Sequence, residues 1–159
     1  MVLREVRMPI KVPGVAAVML FVMGVFQATA AFACFIPSFV HDRVPEQFVP
    51  VWRFLTRPIY GDTPNEAVIK ALAVASQVII GTTEAFVSAM LLGAALVPRR
   101  RRALAHLGLS ASMLLYTAFM LTMYAMHDKS LPNWNQYPAI LAWIGVTWTV
   151  VALESKTTV

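Results

Sequence analysis

A carboxylate lies in the middle of the apolar stretch QVIIGTTEAFVSAMLLGAAL, in which Glu84 is the only charged residue. Its central position in the run 71–97 predicts a place near the centre of a bilayer. A charge there costs about 2.5–3.5 kcal/mol on insertion scales, so such residues face a bundle interior or a cavity. The sequence offers no basic residue at matching depth, which favours a neutral or proton-exchanging acid. We therefore expect Glu84 to donate a hydrogen bond to Gln27 or to a ligand oxygen.

Helical spacing places Glu84 on a face that a neighbouring helix must cover. That face carries Lys70, Gln77, Gly81, Glu84 and Ser88. Overlapping it is a row with a small residue at every fourth position: Gly81, Ala85, Ala89 and Gly93. Small residues in such a row let two membrane helices approach closely. The row therefore predicts a tight helix–helix contact beside the carboxylate.

Polar residues on the other apolar segments are candidate partners for this acid. They are Gln27, Thr29, Ser112, Tyr116, Thr117, Thr147 and Trp148. We predict a ligand-binding or proton site made of Glu84, Gln77, Gln27, Ser88 and Tyr116. A structural hydrogen bond between helices, or a contact between copies of the chain, would use the same residue types, and both alternatives stay open.

The dipeptide His-Asp occurs twice near the ends of apolar segments. His41-Asp42 follows the first segment and His127-Asp128 follows the third. Two imidazoles and two carboxylates are suitable ligands for zinc, iron or copper. Because the same-side ends of alternate helices in a bundle can lie too far apart to share one ion, we favour a helix-end role and predict no metal site.

Cys34 is the one cysteine of the chain. The sequence therefore excludes an intramolecular disulfide, and it lacks the Cys-x-x-Cys motif of thiol–disulfide exchange. The motifs of phosphate-binding loops, HExxH metalloproteases and GxSxG hydrolases are missing as well. These absences leave Glu84 as the main candidate for chemistry.

The composition is that of a membrane protein. The chain is 58% hydrophobic and 13% charged, with a mean hydropathy of +0.67, whereas soluble domains carry about 25% charged residues. A helix needs about 20 apolar residues to cross a bilayer, and the apolar runs lack the alternation of barrel strands. We predict an all-α, up-down-up-down four-helix bundle in a single transmembrane domain, residues 1–159. Its helices are predicted at about 14–38, 66–97, 103–126 and 136–154.

Basic residues predict the orientation of this bundle. With four spans, the N-terminus, the turn at 98–102 and the C-terminus lie on one side and carry most of the Lys and Arg. Both termini are therefore predicted to be cytoplasmic. Topology and contact with anionic lipid headgroups account for the net charge of +5, so the lipid bilayer is a predicted partner and nucleic acid is not.

A long outer loop, residues 39–65, is predicted between the first two helices. Its segment 51–56 interleaves apolar and charged residues, which predicts a short amphipathic helix on the membrane surface. Pro45, Pro50 and Pro58 should prevent a longer helix. The loop is expected to fold back over the bundle or to contact a partner. The N-cap of the next helix is expected at Thr63 or Asn65.

The stretch GTTEAFVSAMLLGAALVPRRRRALAHLGLSASMLLYTAFMLT resembles the DoxX-like family. It has a glutamate midway through the second span, a leucine- and glycine-rich exit, an arginine turn and an alanine–leucine third span. The resemblance covers roughly residues 71–125. Family members are small four-helix proteins of the bacterial inner membrane, related to the small subunit of thiosulfate:quinone oxidoreductase. The resemblance implies a membrane subunit linked to redox or sulfur metabolism, with quinone as the candidate cofactor and other membrane or redox subunits, or a second copy, as partners.

Three functions are consistent with these patterns. The first is a DoxX-like accessory subunit in which Glu84, Gln27 and Tyr116 line a small apolar pocket. The second is a proton-coupled multidrug or metabolite exporter that acts as a dimer, with Glu84 alternating between proton and substrate. The third is a membrane lipid-modifying enzyme with Glu84 as acid or base. It ranks last because the sequence shows no second intramembrane acid or histidine.

Overall fold

The computed structural model describes residues 14–36, 44–126 and 136–157, and this part of the chain is helical with no strand. Its helices are α1 (Val15–Phe35), α2 (Val44–Tyr60), α3 (Glu66–Leu96), α4 (Arg101–Met126) and α5 (Tyr137–Thr157). A short 3₁₀ turn, Pro98–Arg100, joins α3 to α4. Four of these helices, α1, α3, α4 and α5, are long and apolar enough to cross a bilayer. The chain is therefore a multi-pass membrane protein, and the predicted all-α class is confirmed.

The segment predicted as an outer loop contains one long helix. α2 has 17 residues and continues through Pro50 and Pro58, so the prediction of a short helix at 51–56 was wrong. Each proline removes one backbone hydrogen bond, and packing against α3 offsets that loss. Trp52 Nε1 donates a hydrogen bond of 2.8 Å to Ser76 Oγ. Tertiary contacts thus override the local preference of the sequence.

α2 and α3 form a helical hairpin across the turn 61–65. Asn65 is the N-cap of α3, where its side chain accepts a hydrogen bond of 3.3 Å from the amide of Val68. This confirms one of the two predicted caps. Arg53 on α2 forms an exposed ion pair of 2.8 Å with Glu66 at the start of α3. The outward face of α2 exposes the apolar side chains Phe54, Leu55 and Ile59.

The most extensive helix packing is between α1 and α3. A Cβ on Gly24 would lie 2.8 Å from Leu92 Cγ, and one on Gly81 would lie 2.7 Å from Cys34 Cβ. Both distances are shorter than real side-chain contacts allow. Ser88 Oγ adds a hydrogen bond of 2.8 Å to the backbone oxygen of Gly24. The two glycines therefore set how closely the helices approach.

The predicted row of small residues on α3 does not pack against one neighbouring helix along its whole length. Gly81 packs against α1 and Gly93 approaches α4, but Ala85 and Ala89 are exposed. The predicted close approach of a neighbouring helix beside Glu84 is present at Gly81, but it does not continue through Ala85 and Ala89. The reason is that α1 covers the polar face of α3 that contains Glu84, so the other side of the row points away from the bundle.

α3 is longer than α1 and extends past it at one end. It has 31 residues and α1 has 21, which correspond to about 46 Å and about 31 Å. The contacts of Gly24 with Leu92 and of Gly81 with Phe35, the last residue of α1, fix the register of the pair. Residues 66–76 of α3 therefore lie beyond the end of α1.

α4 and α5 complete the bundle. Gly108 of α4 packs against Leu91 of α3, and the ring of Trp143 on α5 meets Phe26 of α1 edge-on at 5.7 Å. Ring contacts between α4 and α5 are His106–Trp148, Tyr116–Tyr137 and Phe119–Tyr137. Each spanning helix is thus held by at least two others.

The end of α5 caps the start of α1. Glu154 Oε1 accepts a hydrogen bond of 3.0 Å from the backbone amide of Ala16. The first amides of a helix have no acceptor within the helix, and a carboxylate there also interacts favourably with the helix dipole. This contact therefore joins two helices that are far apart in sequence.

Candidate functional site

Glu84 lies on the face of α3 that meets α1 and has an exposed fraction of 5%. Its Oε2 is 3.8 Å from Cys34 Sγ, which donates a weak hydrogen bond. In the described ranges of the chain, no basic side chain forms an ion pair with this carboxyl group. A buried acid with a thiol as its partner is therefore the centre of the candidate site.

Glu84 lies level with the end of α1. Its partner Cys34 is the next-to-last residue of α1, and Gly81, one turn before Glu84, contacts Phe35 at the end of that helix. Glu84 is nevertheless in the middle part of α3 (Glu66–Leu96), because α3 extends past α1 on this side. The predicted position near the bilayer centre stays a prediction.

Gln77 ties the end of α1 to the same region. Its Nε2 donates a hydrogen bond to the backbone oxygen of Cys34. The last carbonyls of a helix have no donor within the helix, and Gln77 supplies one. The bond holds the backbone of Cys34 beside Glu84, so Gln77 acts by geometry as a positioning residue.

A second polar group links α1 to α4. Gln27 is completely buried; its Nε2 donates to Ser112 Oγ at 3.0 Å, and its Oε1 accepts from the hydroxyl of Tyr116 at 3.5 Å. The structure thus brings together three of the residues that the sequence singled out. Gln27 is engaged with α4, and the expected bond from Glu84 is replaced by the contact with Cys34.

Two tyrosines lie near these polar groups. Tyr116, which bonds to Gln27, and Tyr137, the first residue of α5, are close enough to Glu84 to interact with it electrostatically. Their ring centroids are 6.0 Å apart, and Phe119 packs against both rings. A carboxyl, a thiol and two phenols, contributed by four different helices, therefore lie in the same region of the bundle.

Three further candidates, Ser88, Thr29 and Thr147, bond to backbone rather than to the site. Ser88 donates to the carbonyl of Gly24 and lies one turn from Glu84, on the side away from the end of α1. Thr29 and Thr147 each bond to a carbonyl of their own helix. Hydrogen bonds from these hydroxyl groups to nearby backbone carbonyls account for their presence without a role in the site.

The two His-Asp pairs, His41-Asp42 and His127-Asp128, lie outside the described residues. Their helix-end role stays a prediction. Within the described ranges, no group of three or more potential metal-ligating side chains occurs.

Sequence reasoning missed two residues of the site, Cys34 and Tyr137. The sequence contained a signal for Cys34, because Gln27, Ala31 and Cys34 share one helical face, and the structure buries all three. The sequence contained no signal for Tyr137, since the place of this residue depends on how α5 packs against α4. The pattern of a helix reports which face is covered, but not which residue of another helix covers it.

The chemistry of these groups suits an apolar molecule that carries oxygen atoms. The carboxyl of Glu84 and the phenols of Tyr116 and Tyr137 can donate to or accept from a carbonyl or hydroxyl oxygen. Small-molecule sites combine apolar walls with a few polar groups of this kind. A ligand oxygen bonded to the carboxyl group could also exchange a proton with it.

Comparisons with protein-family models, curated proteins and solved structures returned no match. The geometry of the site is therefore the basis for inferring its function.

Proposed function

We propose that the chain is a DoxX-like subunit or accessory protein of a redox or quinone-linked membrane system, which binds a small apolar ligand or a partner at Glu84. The observation that carries the proposal is this buried acid, which contacts the thiol of Cys34 and forms no ion pair within the described residues. The phenols of Tyr116 and Tyr137 lie nearby. A quinone headgroup matches the set, because its carbonyl oxygens accept hydrogen bonds and its ring fits apolar walls.

One observation gives weight to a lipid-modifying enzyme as the second candidate. The thiol of Cys34 lies beside the carboxyl of Glu84, which is the arrangement of a nucleophile and its base. Their separation of 3.8 Å is longer than the reach of about 2.6–3.2 Å that such a pair normally has. The binding role is therefore the preferred proposal.

We also propose that the four spans run up-down-up-down in the bacterial inner membrane, with both termini cytoplasmic. In support, Gly24 contacts Leu92 while Phe35 contacts Gly81, so α1 and α3 run in opposite directions. His106 of α4 contacts Trp148 of α5, and Tyr116 contacts Tyr137, so these two helices also run in opposite directions. The concentration of arginine at 99–102 supports the cytoplasmic assignment of that end.

Titration of the purified chain with decylubiquinone, followed by quenching of tryptophan fluorescence, tests the quinone part of the proposal. We expect saturable quenching in the wild type and about tenfold weaker binding in Glu84→Gln, because a hydrogen bond to a buried acid is lost. Glu66→Gln, on the exposed start of the same helix, is the matched control and should bind as the wild type does. Equal affinity in wild type and Glu84→Gln, or an absence of saturable quenching, would exclude a quinone at this site.

A further inference from the structure

The turn between α3 and α4 carries a cluster of positive charge that forms no ion pair among the described residues. Arg99, Arg100 and Arg102, here named the arginine turn, are exposed. The first turn of α4 contains no acidic residue. In the part of the chain that the structure describes, the arginines that form ion pairs are Arg53 and Arg57 of α2. The cluster is therefore exposed to an external anion.

Arg101 has a different role from its three neighbours. Its Nε donates a hydrogen bond of 3.2 Å to the backbone oxygen of Ala94. That carbonyl belongs to the last turn of α3, where intrahelical donors are missing. One arginine thus satisfies the end of α3, and the other three remain available to solvent or membrane.

The cluster lies between two helix ends. The carboxyl end of α3 favours nearby cations, whereas the amino end of α4, which begins at Arg101, disfavours them and attracts anions. The carboxylate that α5 brings to this end of the bundle, Glu154, is engaged with the amide of Ala16. Charge complementarity between the exposed guanidinium groups and an anion is therefore what supports a binding role.

Apolar side chains flank the arginine turn. Leu96 is 71% exposed, and Val97 and Leu107 are also exposed. We propose that the arginine turn binds the headgroup phosphates of acidic phospholipids in the leaflet that it faces, with the acyl chains against these apolar side chains. Guanidinium groups match phosphate oxygens in bidentate geometry, and the combination of basic and apolar surface is that of a lipid-binding turn.

Native mass spectrometry of the full-length chain in a neutral detergent, with added dioleoyl phosphatidylglycerol or dioleoyl phosphatidylcholine, tests this site. The wild type should retain phosphatidylglycerol in preference to phosphatidylcholine, with an affinity that falls as salt is raised. The triple change R99Q/R100Q/R102Q should weaken retention of the acidic lipid by about a hundredfold, from roughly fivefold for each arginine. The single change Arg100→Gln, with a loss of about fivefold, provides a second test if the triple variant does not fold.

The exposed arginines of α2 supply the matched control. R53Q/R57Q removes two solvent-accessible charges elsewhere and should leave retention of phosphatidylglycerol unchanged. Equal retention in wild type and triple variant, or an equal loss in the control, would overturn the proposal. So would wild-type binding of inorganic phosphate alone at the arginine turn with the affinity of the lipid, since the site would then belong to a soluble anion.

Discussion

Cys34 Sγ lies 3.8 Å from Glu84 Oε2, and this contact joins the end of α1 to the middle of α3. The pair is held from both sides, because Gln77 bonds to the backbone of Cys34 and Gly81 allows the two helices to meet. Since α1 ends one residue later, the contact places the carboxyl group of Glu84 level with the end of α1. The proposed ligand or partner binds at this carboxyl group.

The close approach of α1 and α3 can be tested with two glycines. Gly81→Ala would place a Cβ 2.7 Å from Cys34 Cβ, so it should lower the free energy of unfolding by about 1–3 kcal/mol. Gly145 has no atom within 4 Å of such a Cβ, so Gly145→Ala should be neutral or stabilise by up to about 1 kcal/mol through helix propensity. Thermal unfolding in detergent, followed by circular dichroism, compares them. Equal melting temperatures for both variants would show that α1 and α3 are not in close contact.

The polar link between α1 and α4 should contribute measurably to stability. Gln27→Leu removes both bonds of the amide and leaves Ser112 and Tyr116 without their partner, at a cost of about 1 kcal/mol. Thr29→Val is the control, because Thr29 is exposed and bonds to its own helix. Unfolding by a denaturing detergent measures both, and a larger loss for Thr29→Val would contradict the described interior of the bundle.

These two predictions also show what the sequence could and could not establish. Burial of Glu84, Gln27 and Tyr116 follows from helical spacing and from the cost of exposing polar groups to lipid. The partner of Glu84 does not follow, because it depends on the register between α1 and α3, which Gly24 and Gly81 set by close contact. Helical periodicity contains no information on such a register.

The same limit explains where the predicted fold differs from the structure. Small residues recur at every fourth position of α3, but α1 packs on the face that contains Glu84, so Ala85 and Ala89 stay exposed. Pro50 and Pro58 are unfavourable inside a helix, yet Trp52 on α2 bonds to α3 and the helix persists. In both cases a tertiary contact decided the outcome, whereas the number and position of the spanning helices followed from local hydropathy.

The part-buried hydrogen bond between Trp52 and Ser76 contributes to the docking of α2 on α3. Ser76→Ala removes the acceptor of Trp52 Nε1, so α2 should open more often and its amides should exchange with deuterium about fivefold faster, for a loss of about 1 kcal/mol. Glu66→Gln removes only the exposed ion pair with Arg53, which contributes about 0–1 kcal/mol. Hydrogen exchange read by mass spectrometry distinguishes the two changes. Unaltered exchange across α2 in Ser76→Ala would mean that the hairpin is held by other contacts.

The cap supplied by α5 makes a local prediction at the start of α1. Glu154→Ala removes the acceptor of the Ala16 amide and should destabilise the first turn of α1 by about 1 kcal/mol. Amides at the start of α1 should then exchange faster, while those near Cys34 keep their protection. Thr149→Ala, an exposed change on the same helix, is the control. Faster exchange along the whole of α1 in Glu154→Ala would argue against a role confined to the cap.

Native mass spectrometry of the chain, gently extracted from the membranes in which it is made, tests the central claim most directly. We predict that the wild type carries an additional mass, of a small apolar molecule or a second polypeptide, which Glu84→Gln loses and Glu66→Gln keeps. A wild-type chain without additional mass, or one whose bound mass is the same in Glu84→Gln, would contradict a binding role for Glu84. The buried acid would then be explained by its contact with Cys34 alone.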